Sequence, residues 1–171
     1  MAEVAGVLTL QSDKDYLEQY FKVCRIYQQK RLILAKLKEP HSERLPEDIE
    51  RLNKRILELD GEIKKEEGLF WGSVDSALQN GSKFVIENIA SQFKLDLFEK
   101  KLLLFFLFLE YFVIEKNICT EDELLYLFDV ENSVLSRMCN MRYFKSDSTL
   151  INKRLLYADF RSCSGSARVE I

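Results

Sequence analysis

Apolar residues between positions 12 and 67 are spaced as in two amphipathic helices. The second helix carries apolar residues at alternating steps of four and three positions, the repeat of a coiled-coil seam: Leu45, Ile49, Leu52, Ile56, Leu59 and Ile63. The first begins after a Ser12 cap and runs to about Lys38, with an apolar stripe between Leu17 and Leu37. Two prolines in the short segment 39–46 separate them, which predicts an antiparallel helical hairpin over 1–67.

The next segment, 68–82, predicts a linker. Its sequence GLFWGSVDSALQNGS is punctuated by Gly68, Gly72 and Gly81. Phe70 and Trp71 are large enough to anchor it on a neighbouring element.

The second half, 83–171, begins with a predicted short helix over 83–93 and a longer helix over Leu97–Lys116. The longer helix contains LLLFFLFL and is apolar on nearly every side, so other elements must surround it, with Glu110 at its edge. Thr120 and Glu123 then form a capping box for a short helix over Glu121–Phe128.

A fourth helix of this half is predicted over Val130–Arg142, with Asp129 as its cap. Its polar positions, which include Arg137 and Asn140, are expected to face solvent. Its apolar positions are expected to face the core; they are Val134, Leu135, Met138 and Met141.

Two alternating segments end the sequence, Leu155–Arg161 and Ala167–Ile171, and they flank SCSGS at 162–166. This pattern predicts a small β-hairpin. Helices followed by a hairpin are the order of a winged-helix domain, with 130–142 as its recognition helix. We therefore expect a mostly α protein: a coiled-coil hairpin over 1–67, a linker over 68–82 and a winged-helix domain over 83–171.

Charge divides unevenly along the chain. The net charge is −3, so no global field draws the protein to nucleic acid or anionic lipid. From Arg137 to Arg168, however, seven basic residues stand against two acidic ones. The predicted partner or nucleic-acid face consists of Arg137, Asn140, Arg142, Lys153, Arg154, Arg161 and Arg168.

Catalytic and metal-binding motifs are not found in the sequence. It has no phosphate-binding P-loop, and His41 is the single histidine. The four cysteines are too widely separated for a zinc site and are expected to be reduced thiols of a cytoplasmic protein. We expect no catalytic residue, no cofactor and no metal, and therefore no enzyme activity.

A membrane location is also not expected. The N-terminus lacks the basic region of a signal peptide, and LLLFFLFL is far shorter than the roughly 20 apolar residues that a span requires.

One stretch resembles a known family. The segment IENIASQFKLDLFEKKLLLFFLFLEY, and above all Phe98 and Glu99 ahead of the leucine run, is similar to the region before the ATPase core in prokaryotic AAA-type ATPases. The resemblance covers roughly 49–160 and implies an N-terminal helical and winged-helix region that positions the motor or recruits its target. The ATPase core is not in this sequence, so the resemblance implies nothing about nucleotide binding here.

Two functions follow from these patterns. The first is a non-catalytic module that binds protein, either other domains of the same ATPase or its target, with oligomerisation through the hairpin also compatible with the seam. The alternative is a DNA-binding winged-helix regulator that uses the hairpin to dimerise, since clustered Lys and Arg side chains contact phosphates.

Overall fold

The computed structural model describes residues 10–38, 45–112, 119–129, 133–145, 147–159 and 168–170, with only the backbone at 157–159 and 168–170. The protein is mostly α-helical over these ranges. Its elements in chain order are α1 (Asp13–Lys38), α2 (Pro46–Gln79), α3 (Val85–Phe93), α4 (Leu97–Phe112), β1 (Cys119–Thr120), α5 (Glu121–Phe128), α6 (Val134–Asn140), a 3₁₀ turn (Met141–Phe144), α7 (Thr149–Asn152), β2 (Tyr157–Asp159) and β3 (Arg168–Glu170).

Helices α1 and α2 form the predicted antiparallel hairpin. Contacts pair the start of α1 with the end of α2: the Tyr16 and Phe70 rings lie 5.0 Å apart, and Lys30 Nζ lies 2.7 Å from Asp60 Oδ1. The heptad seam is buried from Ile56 onward, whereas Leu45 at its start is 64% exposed. The seam therefore stabilises the half of the hairpin nearest the rest of the protein.

The linker expected over 68–82 is instead helical from Gly68 to Gln79, as the last turns of α2. Glycine lowers helix stability by about 1 kcal/mol relative to alanine, which is why the sequence indicated a break. Phe70 and Val74 lie on one face of these turns and are each 1% exposed, so their burial outweighs the glycine penalty. The turn comes later, at Gly81, whose φ of 87° suits a residue without a side chain.

Helix α4 lies in the centre of the core, as its all-round apolar sequence predicts. Leu102, Leu104 and Phe105 are fully buried, and Glu110 is exposed at the edge as expected. The helix is described to Phe112 of the predicted Leu97–Lys116, and 113–118 lie outside the described residues. One continuous cluster of buried side chains joins the hairpin, α4, α5 and α7.

A buried carboxylate ties three helices together. Glu67 of α2 accepts hydrogen bonds from the hydroxyls of Tyr27 at 3.1 Å and Tyr20 at 3.4 Å, both in α1. The Lys101 ammonium of α4 lies 2.5 Å from its other oxygen. Burial raises the pKa of both tyrosines, and the negative charge of Glu67 raises each pKa further. The tyrosines therefore remain neutral donors to Glu67 at physiological pH.

The described strands pair around β3, in the order β1-β3-β2. Val169 of β3 lies opposite Cys119 of β1 on one side and Ala158 of β2 on the other, both antiparallel. Strands β2 and β3 fall within the segments predicted from alternation. Strand β1 was not predicted, because two residues are too few to show a periodicity. The loop expected at 162–166 lies outside the described residues.

Candidate interaction surface on helix α6

Helix α6 begins at Val134 rather than at Val130, and Ser133 caps it. The Ser136 amide donates to Ser133 Oγ at 3.3 Å, and the Ser133 amide donates to Asp129 Oδ1 at 3.1 Å. Asp129, which we expected to be the cap, therefore holds the cap residue in place. Positions 130–132 lie outside the described residues.

Arg137 of α6 points toward the body of the protein. Its Nη1 atom lies 2.7 Å from Asp129 Oδ2, and the Asp129 side chain is 1% exposed. The guanidinium group also stacks 4.7 Å from the centre of the Tyr126 ring. A buried carboxylate without a cation would be costly, so Arg137 is a structural partner of Asp129.

Four large apolar side chains of the α6 segment consequently face solvent. Val134 and Met138 are each 63% exposed, Leu135 is 74% exposed and Met141 is 48% exposed. We call these four residues the α6 apolar surface. The expected orientation was the reverse, with these residues in the core and Arg137 outside. That prediction is wrong because the buried Asp129 draws Arg137 inward and fixes the rotation of the helix.

The structure describes the side chains of four of the six remaining predicted site residues. Arg142 donates to the Tyr143 hydroxyl at 2.5 Å and lies 3.6 Å from Asp96, which compensates part of its charge. Its hydrogen bond with Tyr143 raises the pKa of Arg142. Asn140 is partly exposed at the end of α6, and Lys153 and Arg154 are exposed after α7. Arg161 lies outside the described residues, and only the backbone of Arg168 is described.

An open cleft of about 370 Å³ follows the α6 segment. The Tyr143 hydroxyl bonds to Asp96 there, and burial raises the pKa of Glu99. The cleft is lined by charges of both signs and by hydroxyl groups, from Asp96, Glu99, Arg142, Tyr143, Lys145, Asp147, Ser148 and Thr149. The sequence did not indicate this cleft, because residues 96 and 143 meet only in the folded chain.

Within the described ranges, no set of three or more His, Cys, Asp or Glu side chains is arranged to hold a metal ion. The helices described here include none with the length and apolar character needed to cross a membrane.

Comparison with protein-family models, with curated proteins and with solved structures finds no match.

Proposed function

We propose that the protein is a non-catalytic module that binds another protein through the α6 apolar surface. The observation that carries the proposal is the rotation of α6, which exposes Leu135, Met138 and their neighbours while Arg137 is held inward. Contiguous exposed apolar residues on a soluble domain mark interaction sites, and methionine side chains adapt readily to a partner's shape.

The charges that follow this surface along the chain indicate what the partner carries. Among the described residues, Lys145, Lys153 and Arg154 form no ion pair, and Asp147 is the exposed acid of the same segment. The partner segment is therefore apolar on the face that contacts α6 and bears carboxylates at its edge. A second copy of the chain would bring the same basic residues together, which electrostatic repulsion disfavours.

The proposal includes a winged-helix architecture for the second half. It is supported by two helices, a short strand, three further helices and two final strands, in which β3 pairs with both β1 and β2. This likeness is one of fold arrangement and does not specify function by itself. Together with the sequence resemblance, this arrangement of helices and strands supports an accessory role beside an AAA-type ATPase in the cytoplasm. A P-loop sequence encoded directly downstream in the gene would test that role.

DNA binding is the alternative, and α6 argues against it. A recognition helix reads base edges with polar side chains such as Arg, Asn and Gln. Here Arg137 is paired with Asp129, and the outward positions are apolar. Burying four apolar side chains against a charged duplex offers little stabilisation.

Position-specific crosslinking tests the docking function. A photoreactive benzoylphenylalanine replaces Leu135 in the full chain, and a second chain carries it at Leu57, which is 63% exposed on α2. In lysate from the source cells, we expect a protein adduct at position 135 that is absent at position 57. The adduct should disappear when Met138 is changed to Asp, because a charge there opposes apolar contact. Equal adducts at both positions, or none at 135, would overturn the proposal.

A fluorescence anisotropy titration with random duplex DNA at about 50 mM salt tests the alternative. We expect no binding at micromolar protein, whereas non-specific DNA binders reach roughly 10⁻⁴–10⁻⁶ M even at physiological salt. Lys153→Glu with Arg154→Glu is the informative variant, because both side chains are exposed. Arg137 is unsuitable, since its reversal would break the ion pair with Asp129. Micromolar binding that this variant abolishes would establish the DNA function instead.

A further inference from the structure

Helix α6 is attached to the protein almost without hydrophobic burial. None of its residues from Val134 to Asn140 is buried. Helices in globular proteins gain most of their stability from packing an apolar face, and a seven-residue helix is too short to persist alone. The nearest buried side chains, Tyr143 and Phe144, lie in the turn after α6, so the position of its N-terminal part depends on polar contacts.

These polar contacts converge on Asp129. Its two carboxylate oxygens hold the Ser133 amide at 3.1 Å and the Arg137 guanidinium at 2.7 Å. One end of α6 and its central cation are thus fixed by a single side chain, which is 1% exposed. Displacement of Asp129 would release both contacts together.

Asp129 is in turn held by the hairpin. Lys30 of α1 donates from Nζ to the carbonyl oxygen of Leu127 at 3.1 Å and to that of Asp129 at 3.5 Å. The same ammonium lies 2.7 Å from Asp60 Oδ1 of α2, and the side chains of Lys30 and Asp60 are 1% and 6% exposed. Among the described residues, the Asp60 carboxylate accepts no hydrogen bond, so the ion pair with Lys30 compensates its buried charge.

We propose that Asp60, Lys30, Asp129 and Arg137 form a polar latch through which the hairpin fixes α6. A change in the packing of α1 against α2 moves Lys30, loosens Asp129 and frees α6. With the latch closed, α6 presents its apolar surface in one orientation; with it open, α6 separates from the body. The role of the latch in regulating the docking surface rests on the proposed function. The structural coupling between the hairpin and α6 does not depend on it.

Hydrogen exchange of the full, partner-free chain tests the latch, because amide exchange reports local opening. The variant is Lys30→Met, which keeps the length of the side chain and removes the charge. The matched control is Lys101→Met, which breaks another lysine–carboxylate pair, at 2.5 Å with Glu67, away from α6. We expect amides of 133–140 to exchange at least tenfold faster in Lys30→Met than in Lys101→Met, with α3 similar in both.

Equal exchange of 133–140 in the two variants, or acceleration spread evenly over α3 and α6, would overturn the latch. If Lys30→Met does not fold, Asp60→Asn replaces it, since that change is isosteric and removes only the counter-ion of Lys30. The crosslinking experiment at Leu135 is independent of this result. Absence of an adduct at position 135 would contradict the docking function, whereas unchanged exchange of the α6 amides in Lys30→Met would contradict the latch alone.

Discussion

Replacement of Glu67 by Ala should produce a large loss of stability, because three donors from two other helices converge on its carboxylate. Tyr20 and Tyr27 donate from α1, and Lys101 approaches from α4. The glutamate is 7% exposed, and both tyrosines are fully buried. The substitution would leave two buried hydroxyl groups without their acceptor.

The expected cost follows from these groups. An unsatisfied buried donor costs about 1–3 kcal/mol, and the 3.4 Å separation from Tyr20 places that bond at the weak end. The Lys101 side chain is 19% exposed, so its ammonium can turn toward water and contributes little to the loss. We expect Glu67→Ala to lower the free energy of unfolding by about 3–4 kcal/mol, out of about 5–15 kcal/mol for a typical domain.

Urea unfolding followed by circular dichroism and by Trp71 fluorescence measures this loss. Glu66→Ala is the matched control, because the neighbouring side chain is only half-buried and should lose less than about 1 kcal/mol. In a Tyr27→Phe background, Glu67→Ala should cost roughly 1 kcal/mol less, since one donor is already absent. A loss below about 1 kcal/mol, or equal losses in both backgrounds, would refute the assigned role of Glu67.

Two further predictions concern the glycines of α2 and the thiol of β1. Gly68→Ala and Gly72→Ala should each raise the free energy of unfolding by about 0.5–1 kcal/mol, because both sites are helical, exposed and open to a methyl group; a destabilised variant in urea unfolding would contradict this. Burial raises the pKa of the Cys119 thiol from 9.0 to about 11. Above pH 9 the thiol ionises in the unfolded chain but stays protonated in the folded one, so the free energy of unfolding should fall as the pH rises from 9 to 11. That loss amounts to about 2.7 kcal/mol. Under reducing conditions, Cys119→Ala should reduce the slope of the free energy of unfolding against pH by up to about 1.4 kcal/mol per pH unit. An unchanged slope would contradict the raised pKa of Cys119.

Local sequence signals were sufficient for several elements. The Thr120–Glu123 capping box forms with both hydrogen bonds at 3.2 Å, because its donors and acceptors lie within four residues of one another. The hairpin could be predicted from its heptad spacing, and α4 from its lack of a polar face. In each case the information lies within one continuous segment, where side-chain periodicity follows from the local geometry of the helix.

The extent of α2 and the presence of β1 depended on distant partners. Gly68 and Gly72 indicate a break when read locally, but the core that receives Phe70 and Val74 keeps these turns helical. Strand β1 exists because β3, almost fifty residues later, supplies its hydrogen bonds.

The orientation of α6 was decided by tertiary structure alone. The spacing of Val134, Leu135, Met138 and Met141 fits a helix that faces a core, and nothing local indicates that no core lies beneath it. Lys30 donates to the main-chain carbonyl oxygen of Asp129, and the buried carboxylate of Asp129 requires the guanidinium of Arg137. A charge removed from water must find a partner, and here that requirement outweighs the burial of the apolar side chains of α6. The sequence thus determined that α6 is amphipathic, and the buried carboxylate determined which face it shows to solvent.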